Sequence, residues 1–306
     1  MKKWIWIGVS ITGFLVLVAG GLLIYAYYSL QHTAKQVYEP LDRPHYVSRD
    51  TEIKTEKIST SAMSSFTVMM LGVDERENDR GRSDTIILLT VNPSTEKVLM
   101  FNIPRDTRTE IVGRDTEDKI NHAYAFDGLA GSIRTVEHFL DMPIDYYVEV
   151  NMEGFETVVD TLNGVDVNNP FAFDYSGTSF PKGPLHLNGA DALKFSRMRY
   201  DDPRGDFGRN ERQRQIVKDV IRRAAQWNNA FDLPQLLKDV GKTVKTNLTF
   251  DEMQDLILKY RKHIKTVDTT EIRGQGKMIG GIYYYLVDQQ ERDRIHAAMK
   301  QTLQGS

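Results

Sequence analysis

Between residues 66 and 103 the apolar positions run almost unbroken in three segments, 66–73, 85–91 and 97–103, rich in Val, Ile, Leu, Met, Phe and Thr. Strands that do not alternate with polar residues are covered on both faces, so these three predict the centre of a sheet. The polar connection Asn92-Pro93-Ser94-Thr95 between the second and third suits a hairpin. Further along, the period changes to that of helices at 131–140, 153–162, 190–197, 209–227, 251–263 and 288–303, with strand patterns at 145–150 and 266–272. The order predicts one layered domain of the α/β (α+β) class, a mixed central β-sheet flanked by helices.

A different pattern stands in front of it. Residues 4 to 30 contain no Asp, Glu, Lys or Arg, and the next charge is Lys35. Roughly 20 apolar residues cross a bilayer, and Trp4 and Trp6 at one end with Tyr25, Tyr27 and Tyr28 at the other stand where aromatic belts sit. Lys2 and Lys3 keep the short end in the cytoplasm and send the rest outward. The run is too long for the apolar core of a cleaved signal peptide, which is about 7–15 residues. The expected layout is a tail at 1–3, a transmembrane signal anchor at 4–28, a polar stalk with Pro40 and Pro44 at 29–65, and an extracytoplasmic domain at 66–306.

Composition narrows the chemistry. In 306 residues, 39 Lys and Arg against 42 Asp and Glu give a net charge of -3, so the overall charge recruits no nucleic acid and any attraction to phosphate is local. Without cysteine there is no disulfide, thiolate nucleophile or zinc-thiolate site. The seven histidines show no metal-binding spacing, and neither a Gly-x-Ser-x-Gly elbow nor a phosphate-binding glycine loop is present.

The candidate chemistry gathers at strand ends. Asp74 and Asp84, with Arg82, bracket the loop between the first two strands, and such a carboxylate pair suits Mg²⁺ shared with a phosphate as well as it suits a solvated loop. Arg105 follows the third strand and either shares that sheet edge or pairs with Asp106 at the surface for ~0–1 kcal/mol. Arg197 and Arg199 point to one side only if the preceding helix ends near Arg197. Guanidinium groups converging on one point are what a pyrophosphate needs. In the next helix Arg209 and Gln213 continue the apolar stripe of Ile216, Val217, Val220 and Ile221 and so point inward at its N-terminus, whereas Arg212, Arg214 and Arg222 read as a solvated basic face. Asn121-His122 reads either as catalytic or, as is more common for a histidine at a helix start, as a cap or a satisfied polar contact, and Tyr283-Tyr284-Tyr285 beside Gly280-Gly281 as a strand or its turn rather than a sugar platform.

Taken together, Leu71-Gly72-Val73-Asp74, Gly81-Arg82-Ser83-Asp84-Thr85, Ile103-Pro104-Arg105-Asp106, Asp118-Lys119-Ile120-Asn121-His122-Ala123, His186-Leu187-Asn188-Gly189, Arg197-x-Arg199 and Arg209-x-x-Arg212-Gln213 resemble the LytR-CpsA-Psr family. The resemblance implies a phosphotransferase that moves an anionic glycopolymer, typically wall teichoic acid, from an undecaprenyl-pyrophosphate carrier to the C6 hydroxyl of N-acetylmuramic acid in peptidoglycan. It also implies that Asp74 and Asp84 match positions linked to Mg²⁺, and that Arg82, Arg105, Arg197, Arg199, Arg209 and Gln213 match those around the pyrophosphate, with the lipid tail in an apolar tunnel between sheet and helices. A lipid-pyrophosphate hydrolase and a non-catalytic binder of the same lipid share every one of these arginines. The loop 200–208 departs from the family pattern, with Asp202-Pro203-Arg204-Gly205 at the rim.

Overall fold

The computed structural model describes residues 58–74, 81–226 and 243–305, with shorter pieces at 31, 34–41, 46–50, 53, 239 and 241. In chain order the elements are β1 (Phe66–Val73), β2 (Ser83–Asn92), β3 (Lys97–Asn102), β4 (Arg108–Ile111), β5 (Thr116–Lys119), α1 (His122–Leu140), β6 (Tyr146–Val150), α2 (Met152–Thr161), β7 (Val165–Asn169), β8 (Phe173–Tyr175), β9 (Thr178–Phe180) and β10 (Gly183–Leu187). Then come α3 (Gly189–Arg197), α4 (Asp206–Gln226), β11 (Val244–Thr246), α5 (Phe250–Leu258), β12 (Thr266–Thr269), β13 (Gln275–Ile279), β14 (Ile282–Leu286) and α6 (Gln289–Gln304).

Six strands form the central sheet in the order β11-β6-β1-β2-β3-β12. The pairs β1–β6 and β3–β12 are parallel, while β1–β2, β2–β3 and β6–β11 are antiparallel. The expected mixed sheet with flanking helices is therefore present. Since β1, β3 and β6 all run one way and β2 the other, Asp74, Asp84, Arg105 and Asn151 emerge on one sheet edge. That meets the condition under which Arg105 joins Asp74.

The central strands show almost no exposed residue because both faces are covered. On one face, Ile133, Val136, Phe139 and Leu140 of α1 and Ile295 and Met299 of α6 pack on Met69, Ile86, Leu88 and Phe101. On the other, Val68, Ile87, Leu89, Val98 and Met100 meet Tyr260, with Val217, Ile221, Met253 and Leu256 alongside. A third cluster, Val159, Val165, Phe173, Phe180, Ala192, Phe195 and Ile216, fastens α2, α3 and α4 to the β7–β10 hairpin. The short strands β4, β5 and β7 to β11 were not predicted, since runs of three to five residues carry too few positions to show a period.

The segment expected as a stalk is, in its described residues, part of the fold. Ala34 and Val37 pack with Phe250, Tyr38 bridges Thr246, Ser48 donates to the Asp141 carbonyl at 2.8 Å, and Ile53 joins the core. Its average polarity hid the few apolar residues that dock it. Among the described residues no helix is long and apolar enough to cross a membrane, and the run at 4–30 lies outside them.

Candidate functional site: a charged mouth over an apolar cavity

The sheet edge becomes a site through one irregularity. In the β1–β2 ladder Gly72 faces Thr85 and Val73 faces Ser83, so Asp84 is the extra residue of a β-bulge. Bulges re-aim side chains, and this one takes Asp84 out of the strand's alternation. Gly72 leaves room for this crossing, since a Cβ would come a tight 3.0 Å from Thr85 Cβ. Thr85 Oγ1 in turn accepts from Gln213 Nε2 at 3.0 Å.

Asp84 receives Arg105 Nη1 at 2.9 Å and Asn121 Nδ2 at 3.5 Å. Arg105 therefore pairs with a carboxylate of the mouth as well as lying 4.0 Å from Asp106, which itself meets Lys119 at 2.6 Å. Asn121 makes no side-chain cap bond and turns to Asp84, so of the expected readings the cap does not hold and the polar contact does. Its neighbour His122 is held by Asp118 at 2.7 Å. The side chain of Arg82 is exposed, while its carbonyl accepts the N–H of Asp84 at 3.0 Å.

α3 ends at Arg197, and Met198 is extended at φ -58°, ψ 133°. The two flanking arginines can thus reach the same mouth: Arg197 Nη2 lies 3.8 Å from Asp74 Oδ2, and Arg199 Nη1 lies 3.9 Å from Asp206 Oδ1. Arg212 secures this turn, and it is the plainest correction to the sequence reading. It is 1% exposed, donates from Nε to the Phe195 carbonyl at 3.0 Å and from Nη2 to the Met198 carbonyl, and meets Asp202 Oδ2 at 2.5 Å. The carbonyls at a helix C-terminus lack intrahelical partners, and a buried cation supplies two of them. Gly208 makes room, since a Cβ there would fall 1.9 Å from Asp202 Oδ2. Arg214 is buried too, bonded to Asn102 at 3.1 Å and Glu271 at 2.6 Å, and only Arg222 stays half exposed.

Arg209 and Gln213 do point inward. Arg209, 7% exposed, meets Asp206 at 2.8 Å, and Gln213 Oε1 accepts from Asn102 at 3.1 Å. Burial pulls the Arg105 pKa down, but the Asp84 and Asp206 carboxylates outweigh it and shift it upward; in Arg209 burial prevails over Asp206 and the shift is downward. Both remain cations at neutral pH. Asp206 was missed by the sequence reading, although an acid three residues before Arg209 on a helix was a usable signal.

Behind this mouth lies a cavity of about 490 Å³, lined by Met70, Ile87, Val148, Val158, Val217 and Val220 among others, with Asp74, Asp84, Arg197, Arg209 and Gln213 at its polar end. Open to solvent at this mouth and apolar behind it, a space of this size and lining has the form of a ligand site. Among the described residues no cluster of three or more His, Cys, Asp or Glu is placed to hold a metal. Asp74 and Asp84 fit Mg²⁺ of the kind that takes one or two carboxylates and completes its shell with water and substrate phosphate.

Guanidinium groups above an apolar cavity define a receptor for an amphiphile with an anionic head. The chain belongs to the LytR_cpsA_psr family, whose model matches residues 24–301. It is 47% identical over 298 residues to the polyisoprenyl-teichoic acid–peptidoglycan teichoic acid transferase TagU of Halalkalibacterium halodurans, covering 97% of each chain. Its fold is similar to the crystal structure of Bacillus subtilis TagU (45% identity, TM-score 0.64, 78% of this chain and 97% of that one). It is also similar to TagT with bound octaprenyl pyrophosphate lipid (26% identity, TM-score 0.68, 87% of this chain and 100% of that one).

Proposed function

We propose that this protein transfers a teichoic acid from a polyisoprenyl-linked carrier to peptidoglycan. The observation that carries the reading is the junction of Arg105, Arg197 and Arg209 with an apolar cavity, which suits a lipid diphosphate at both ends. Membership of the family and the likeness to transferases at up to 47% identity support it.

In finer detail, the carrier is undecaprenyl pyrophosphate and the acceptor the C6 hydroxyl of N-acetylmuramic acid. The acceptor oxygen bonds to the sugar-side phosphorus, the bond from that phosphorus to the bridging oxygen breaks, and the lipid leaves as a monophosphate. Arg105, Arg197, Arg199 and Arg209, joined by Arg82 and Gln213, hold the phosphate oxygens and stabilise the charge that develops on them. Asp74 orients the hydroxyl and takes its proton. Mg²⁺ held by Asp74 and Asp84 would neutralise phosphate charge when bound. Residues 4–28 anchor the chain once in the cell membrane with the domain outside the cytoplasm, a reading supported by Lys2 and Lys3 and by the lipid substrate.

The purified protein, Mg²⁺, a lipid-pyrophosphoryl sugar and a peptidoglycan oligomer are expected to give a covalent sugar-phosphate-peptidoglycan product. Free sugar phosphate in its place would mean hydrolysis, and unaltered bound lipid would mean a carrier-binding protein; either result overturns the assignment.

A further inference from the structure

The mouth already contains an anion of its own. Asp206, the first residue of α4, accepts from Arg209 Nη2 through Oδ2 at 3.0 Å, while its Oδ1, which has no hydrogen-bond partner among the described residues, lies 2.8 Å from the same Nη2, 3.9 Å from Arg199 Nη1 and 4.0 Å from Arg105 Nε. One carboxylate thus faces three guanidinium groups, at the end of a 21-residue helix where the dipole and free N–H groups favour negative charge. It does not saturate them. Arg209 is more than nine-tenths buried and lines the cavity, yet its Nε has no hydrogen-bond partner among the described residues. An unpaired buried donor is costly, and a phosphate oxygen is the partner this one fits.

We propose that Asp206 is a built-in counter-anion that makes the site select a lipid diphosphate over a lipid monophosphate and expels the monophosphate left by transfer. The proposal rests on the function given above. A diphosphate carries enough oxygens to engage Arg105, Arg199 and the free Nε of Arg209 while Asp206 stays on Arg209 Nη2, whereas a monophosphate, with one cluster of oxygens, has to displace the carboxylate. After transfer the acceptor oxygen holds the sugar-side phosphorus and the bridging oxygen has gone with the lipid, which retains one phosphate. That group competes with a carboxylate fixed to the same helix, which acts at a high effective concentration and loses no translational freedom on returning. Asp206 therefore favours entry of substrate and departure of product with the same contact.

The test titrates polyprenyl monophosphate and diphosphate of equal chain length, in detergent, against the full chain and its Asp206→Asn and Asp206→Ser variants. The wild type is expected to bind the diphosphate at least about tenfold more tightly than the monophosphate. The variants are expected to tighten the monophosphate by about tenfold and the diphosphate by less than about threefold, as removal of one competing charge requires. Transfer by the variants should then be inhibited by added monophosphate at lower concentration. Weaker binding of both lipids by both variants would show that Asp206 only holds the arginines in place, and equal tightening of both would deny it a part in selection. Either result overturns the proposal. A wild type that binds neither lipid would instead refute the proposed function.

Discussion

The two faces of the central sheet are made of similar residues and end in different states. Under α1 and α6 the contacts close: Ile133, Val136, Phe139, Ile295 and Met299 fill the space above Met69, Ile86 and Leu88. Under α2, α3 and α4 they stay open, and Val158, Val217 and Val220 share about 490 Å³ with Met70, Ile87 and Val148. Hydrophobicity alone does not separate a core from a lipid seat. The difference lies at the ends, where the open side is stoppered by Asp74, Asp84, Arg197 and Arg209.

The largest effect that could break this comparison is on the closed face. Phe139→Ala should cost about 3–5 kcal/mol in unfolding free energy by denaturant titration; a loss under about 1 kcal/mol would mean that this face is not close-packed. Next, Arg105→Ala should lower the transfer rate by about 10² to 10³, the cost of removing one donor to developing charge, with the unfolding midpoint little changed. Full transfer by that variant would remove the mouth from the reaction. The smallest effect sharpens the contrast: Val217→Phe on the open face should leave stability within about 1 kcal/mol, because the ring enters existing space, while lipid affinity falls by about tenfold or more. A variant that binds lipid as before would place the tail elsewhere.

Much of this was legible in the chain. Unbroken apolar runs marked β1, β2 and β3 as central, and the stripe of α4 placed Arg209 and Gln213 inward. Two kinds of feature were not. The cavity lining reads as ordinary core, since Val217 and Val220 obey the same helical period whether a neighbour or a lipid faces them. Arg212 and Arg214 read as surface because charge is seldom buried; their partners, the carbonyls of Phe195 and Met198 in the preceding turn for one and Asn102, 112 residues away, for the other, show no pattern along the helix itself. Asp206 carried a signal in its spacing from Arg209 but was easily passed over, being a residue any helix start accepts.

The bulge at Asp84 makes the mouth sensitive to length as well as to side-chain identity. Side chains on a strand alternate with a period of two, so a shift of one residue turns each of them to the other face. Deleting Asp84 would instead leave Gly72 opposite Thr85 and Val73 opposite Ser83 in an uninterrupted ladder, and would remove the carboxylate that receives Arg105 and Asn121. The sheet would be more regular, and the seat for phosphate would be gone. In this fold a frame-preserving deletion of one codon can therefore tidy the sheet and disable the mouth in a single step.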